Sequence, residues 1–156
     1  MYSHGTHGGD YTWKEHLFPF TALNPKLWIP FPVLGSIYPI TRGVFGNVQD
    51  IKHPLYQNMV QTIEPILQEH PSAVAVAGHE HNLQFIEKDS VYYVVSGSGA
   101  KLTRLSQRGK EGKLLYSDLN FGFALMEVRK SGKVEVKYYN VNSKDLSDPN
   151  FKHPLK

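Results

Sequence analysis

Apolar residues recur at helical spacing between Gln57 and Glu69, where Met59, Ile63, Ile66 and Leu67 would share one face of an amphipathic helix. Pro65 inside that pattern removes a backbone donor, so the helix is expected to kink there or to start late, and Pro71 ends it. The period then changes. Ser72 to Val76 is a short apolar run that reads as a buried strand, and Leu83 to Ile86 alternates as a second. A turn at Lys88-Asp89-Ser90 leads into Val91-Tyr92-Tyr93-Val94-Val95, β-branched and aromatic throughout, which closes at Ser96-Gly97-Ser98-Gly99. A further strand is expected near Leu114 to Tyr116. Phe121 to Val128 and Val134 to Val141 then flank a turn at Lys130-Ser131-Gly132-Lys133 as a hairpin. Helix followed by buried strand is the rhythm of a layered α/β fold, here with a β-rich second half. The tail over residues 143–156 is polar, carries Pro149 and Pro154, and is expected to be loose.

The first third of the chain is less regular. Ser3 to Tyr11 is a polar, glycine-rich loop, and a loop at a terminus suggests an anchoring segment upstream. Thr12 with Glu15 would form a capping box for a short helix bearing Trp13, His16 and Leu17. Residues 25–54 read as a long insertion or lid loop stiffened by Pro30, Pro32 and Pro39. Trp28, Phe31 and Leu34 in it either fill core space or cover a pocket or membrane surface.

Composition narrows the classes. The chain has 156 residues, 40% of them hydrophobic and 20% charged, which is ordinary for a globular domain. A formal charge of +3, with basic residues gathered between Lys101 and Lys113, suits solubility and anionic substrates but not a dedicated nucleic-acid binder. Cysteine is absent, so any metal must be held by nitrogen and oxygen ligands. No apolar stretch is long and unbroken enough to cross a membrane as a helix.

The chemistry concentrates in Gly78-His79-Glu80-His81-Asn82, immediately after the first buried strand. In extended backbone, residues two apart point to one side, so His79 and His81 would aim at a common point beyond the strand end. Sheet proteins of this class place ligands there, and paired imidazoles suit a transition metal. Two histidines do not complete a catalytic metal site, which needs at least three protein ligands. His4, His7 and Asp10 would complete it if the N-terminal loop folds onto the pair. His16, His53, His70 and His153 have no ligand-like partners at useful spacing and are expected at the surface. Ser96 to Lys101 lacks the spacing of a phosphate-binding loop and reads as a turn.

Gly78-His79-Glu80-His81 resembles the last metal-binding motif, Gly-His-x-His, of the calcineurin-like metallophosphoesterases, including the purple acid phosphatase branch. Tyr2-Ser3-His4-Gly5-Thr6-His7-Gly8 is similar to the segment immediately downstream of the preceding motif in that branch. The resemblance spans most of the chain. It implies a partial four-layer αββα sandwich, its C-terminal half, covering residues 1–142. His79 and His81 would each contribute to a different ion of a pair of Fe, Mn or Zn ions, and His7 would act as general acid near the leaving group of a phosphoester substrate. The family's Asp-x-His, Gly-Asp-x-x-Asp or Tyr, and Gly-Asn-His motifs do not occur here, so the other ligands are expected from an N-terminal segment of the same domain, and the isolated chain is expected to be nearly inactive. The family leans towards a periplasmic or cell-envelope setting. A non-catalytic remnant or a module binding a single metal ion remains the alternative.

Overall fold

The computed structural model describes residues 3–5, 17–22, 24, 26–30, 53–106 and 111–155. Two compact units divide the chain, residues 1–5 with 62–156 and residues 6–61. Among the described residues the fold is mixed α/β and mostly sheet.

The larger unit opens on the end of α1 (Pro54–Gln68), which starts three residues earlier than its apolar pattern and runs through Pro65. His53 begins it, its ring Nδ1 accepting from the backbone N–H of Leu55 at 3.2 Å. The apolar stripe of the helix is covered only in part. Ile63 and Ile66 are 42% and 55% exposed, and Leu67 is the α1 residue that packs against a buried cluster of the sheet.

Four strands follow, β1 (Val74–Ala77), β2 (Leu83–Lys88), β3 (Val91–Ser96) and β4 (Lys113–Asp118), in the order β1-β3-β2-β4. β2 and β3 are joined by Asp89 and Ser90 at φ 50° and 64°, the paired positive angles of a tight hairpin turn whose twist suits the strands. β1 pairs with β3 in parallel. β3 is covered on both faces, which is why its sequence is a continuous apolar run. Val91 and Tyr93 face the α1 side with Ala75 and Ile86, while Tyr92 and Val94 face the second sheet with Leu83 and Phe85.

That second sheet is β5 (Gly122–Val128), β6 (Val134–Asn140) and β7 (Phe151–Leu155) in sequence order, all antiparallel. Its inner face contributes Val136 and Tyr138, with Phe151 and Leu155 packed beside them. Helix, sheet and sheet thus stack as layers in this unit. β7 corrects the expectation of a loose tail. Phe151, His153 and Leu155 alternate inward, and Pro154 is tolerated because β7 is an edge strand. His153, expected at the surface, instead stacks among Phe85, Tyr92 and Phe151, with ring centroids 5.1, 5.7 and 6.3 Å away.

Polar contacts join the sheets at their margins. The Ser96 hydroxyl accepts from the Ala124 N–H at 3.0 Å, and the Ser98 hydroxyl donates to the Gly122 carbonyl at 3.3 Å. Asp118, ending β4, accepts from Asn140 at 2.5 Å, from the Tyr116 hydroxyl at 3.0 Å, and from the Asn120 backbone and side-chain amides at 2.9 and 2.8 Å. Burial works to raise the Asp118 pKa, but these hydrogen bonds outweigh it and hold the carboxyl below its ordinary range. Burial, then the Asp118 hydrogen bond and charge, push the Tyr116 phenol well up.

The smaller unit contains a short 3-10 helix, η1 (Pro19–Ala22), and an aromatic pair in which Phe18 and Trp28 lie 5.2 Å apart, tilted by 57°. Trp28 is 55% exposed, so core filling, one of the two roles open to it, does not occur. Phe31, Leu34 and most of the 25–54 loop lie outside the described residues, as does the helix expected after Thr12 apart from Leu17.

Candidate metal-binding loop

Sheet order explains the shape of the loop. β3 lies between β1 and β2, so the five residues from Gly78 to Asn82 must pass over the carboxyl end of β3 and reverse direction. Crossing two strand spacings covers about 10 Å, while five extended residues would reach roughly 17 Å. The excess is folded into turns. The Glu80 N–H bonds the Gly78 carbonyl at 2.9 Å, and the Asn82 N–H bonds the Glu80 carbonyl at 2.9 Å. Each is an i→i+2 bond, the mark of a three-residue γ-turn.

His79 and His81 are therefore the central residues of two consecutive tight turns. His79 has φ 71°, so its turn has the geometry of the rarer, strained form. The extended backbone expected from the sequence does not occur here, and neither does the argument that the two side chains share a side because they are two apart on a strand. What places them is a pair of turn apices. His79 is exposed, Glu80 buried and His81 half-buried.

Two glycines make room for this loop. A Cβ on Gly97 would strike the Glu80 carbonyl where the loop crosses β3, and a Cβ on Gly5 would strike the Glu80 carboxyl group. Gly97 also donates its N–H to the Asn82 carbonyl at 3.2 Å. On the other side, the Thr103 N–H bonds the His81 carbonyl at 2.8 Å.

The N-terminal segment does reach this loop, through its backbone. Gly5 forms a bridge with Leu105, and the Ser106 N–H bonds the His4 carbonyl at 2.8 Å. The His4 N–H donates to Gln84 Oε1 at 2.7 Å, and Gln84 Nε2 donates to Ser3 Oγ at 3.2 Å and to Asn82 Oδ1 at 2.6 Å. The His4 ring lies 3.3 Å from the Glu111 carbonyl. His7 and Asp10 lie outside the described residues, as does His16. His70 is exposed, as expected.

Asn82 and Gln84 are what residue-type reasoning missed. Two amides at i and i+2 on a strand start carry no metal or nucleophile signal, although side-chain amides inside an otherwise apolar strand pattern mark a buried polar need.

As to metal, among the described residues no three or more histidine, aspartate or glutamate side chains gather as a ligand group. His79 and His81 are carried on consecutive turns of one strand-end loop.

No family model and no curated protein matches the chain. Among solved structures it is similar to one described as "GAP50 the anchor in the inner membrane complex of Plasmodium", at 21% identity and a TM-score of 0.53. That match covers 64% of this chain and 30% of the other. The likeness is one of fold. The chain spans under a third of the length of that protein. Among the described residues no helix is long and apolar enough to cross a membrane.

Proposed function

We propose that this chain carries the closing portion of a two-metal phosphohydrolase site, with His79 and His81 each serving a different ion. The observation that supports this most is the double turn. Backbone strain of this kind, costing of order 1–3 kcal/mol, persists where surrounding structure over-determines it, and such positions cluster at functional sites. Here it falls on a histidine of a Gly-His-x-His motif at the carboxyl end of β1, which is not the buried strand expected but an edge strand in which Ala75 is buried and Val76 exposed. The finer fold, part of a four-layer αββα sandwich, belongs to the same proposal, and the helix–sheet–sheet layering supports it.

When bound, a pair of ions of this kind supplies a hydroxide nucleophile and neutralises the charge that develops on the phosphoryl group. The chain's own contribution is to hold the backbone that carries His79 and His81. His81 is held through its carbonyl by Thr103, and His79 through the turn around it. His7 takes the role of proton donor to the leaving oxygen. The remaining ligands would come from motifs this sequence does not contain. A second reading, a non-catalytic module for a single ion, draws on the missing third ligand among the described residues.

Zn²⁺ titration followed by the imidazole resonances of His79 and His81 tests the assignment. Saturable shifts of both are expected, with the His79 shift surviving in His81→Ala, and no hydrolysis of aryl phosphates by the chain with Mn, Fe or Zn. Absence of any zinc response at either ring overturns the metal role, and vigorous turnover by the chain alone overturns the claim that essential ligands lie elsewhere. Loss of both shifts in His81→Ala favours the single-ion module.

A further inference from the structure

The Asn82–Gln84 amide pair has a geometry that the loop's metal role alone does not require. Both residues are wholly buried. The polar atoms of Gln84 are all engaged, its side-chain oxygen by the His4 N–H and its nitrogen by Ser3 Oγ and Asn82 Oδ1, while its backbone carbonyl accepts the Tyr138 hydroxyl. Asn82 passes the chain on, its Nδ2 donating to the Thr103 carbonyl at 3.3 Å.

The two ends of this chain fix its direction. At one end stands a backbone N–H, a donor only, and at the other a backbone carbonyl, an acceptor only. Between them each amide must present oxygen towards His4 and nitrogen towards Thr103. Flipping either amide sets oxygen against oxygen at one contact. The relay therefore has one allowed arrangement, and that arrangement holds Ser3–His4 on one side and Thr103 on the other. Thr103 in turn holds the His81 carbonyl, and Asn82 is the residue next to His81.

We infer that Gln84 is a positioning residue for the His79–His81 loop: through Asn82 and Thr103 it fixes the turn that presents His81, and it couples that turn to the N-terminal segment Ser3–Gly5. The inference rests on the proposed metal role of the loop and adds the residue that sets its geometry. Hydrogen-bonded groups behind metal ligands change metal affinity by about 10- to 100-fold when removed.

The test is Zn²⁺ affinity of the full chain, read from the His79 and His81 imidazole resonances, in Gln84→Met and Tyr138→Phe. The second variant removes a buried hydrogen bond to the same residue's backbone but leaves the amide relay intact, so it controls for lost stability. Gln84→Met is expected to weaken zinc binding about tenfold or more, and Tyr138→Phe to bind as the parent chain does. Equal affinity in Gln84→Met and the parent chain overturns the inference while leaving the metal role standing, and so does equal weakening in both variants. No zinc response in the parent chain overturns both. Should Gln84→Met not fold, Ser3→Ala tests the link to the N-terminal segment, since it removes the hydroxyl that accepts from both Gln84 Nε2 and the Gly5 N–H. Weakened zinc binding in it supports the coupling of that segment to the loop, and parent-like affinity overturns the coupling.

Discussion

Removing the imidazole of His79 in two ways separates the backbone from the side chain. At φ 71° an L-residue pays about 1–2 kcal/mol for the left-handed conformation, a cost that glycine escapes. Glycine loses about 0.4–1 kcal/mol of that advantage by loosening the unfolded chain. His79→Gly is thus expected to be more stable than His79→Ala by about 0.5–1 kcal/mol. His81 is not among the residues with positive φ, so there the order reverses, and His81→Ala should exceed His81→Gly by about 0.5–1 kcal/mol. The opposite signs make the comparison independent of whatever the imidazoles contribute. Urea unfolding followed by tyrosine near-UV circular dichroism is the assay. Both tryptophans, Trp13 and Trp28, belong to the 6–61 unit, whereas Tyr92, Tyr93, Tyr116, Tyr138 and Tyr139 report on the sheets. The same order of stability at both positions would refute the double-turn account of the loop.

Other changes probe neighbouring contacts. Gly97→Ala forces a methyl group into the Glu80 carbonyl, so urea unfolding should show a loss of about 1–3 kcal/mol, with the His79 and His81 resonances displaced. Tyr138→Phe removes the hydroxyl that donates to the Gln84 carbonyl and should cost about 1–3 kcal/mol, measured by the same unfolding. The Asp118 carboxyl is held low in the folded state, so its contribution to stability is complete above the ordinary carboxylate range. It is lost as pH falls below about 4 and through the depressed folded value. Asp118→Asn should be less stable at neutral pH and flatten the stability profile below about pH 4, which unfolding midpoints across pH will show. Removal of Lys137, bonded to Glu127 and near Glu135 on an outer face, should leave the urea midpoint almost unchanged, with any difference shrinking at high salt.

Strand positions are legible because burial on both faces leaves an uninterrupted β-branched and aromatic run, as in Val91 to Val95, and a covered single face leaves alternation. One residue hides the last strand. Pro154 argues against it, yet Phe151-x-His153-x-Leu155 alternates in the inward register, and an edge strand accepts the missing N–H. The helix stripe is legible as a helix but not as packing, because periodicity says which side is apolar and not whether anything covers it. At the loop, the motif and its place after β1 can be read from residue types. Its backbone cannot, since the turns at His79 and His81 arise from the order β1-β3-β2, a non-local pairing that local spacing does not encode. Side-chain chemistry alone sends His153 to solvent, when its neighbours in the alternation are the better guide.

The contacts of Ser3 and His4 with Gln84 join residues 81 and 80 positions apart, and the Gly5–Leu105 bridge spans further still. Closing such spans costs chain entropy that no local contact repays beforehand, whereas the β2–β3 and β5–β6 hairpins need only short closures. Ser3, His4 and Gly5 leave the ribosome before Leu105 and Ser106, and their contacts must wait until those residues have been synthesised. The histidine loop therefore gains its last support late in folding. Until then its strained turn has one neighbour fewer to hold it.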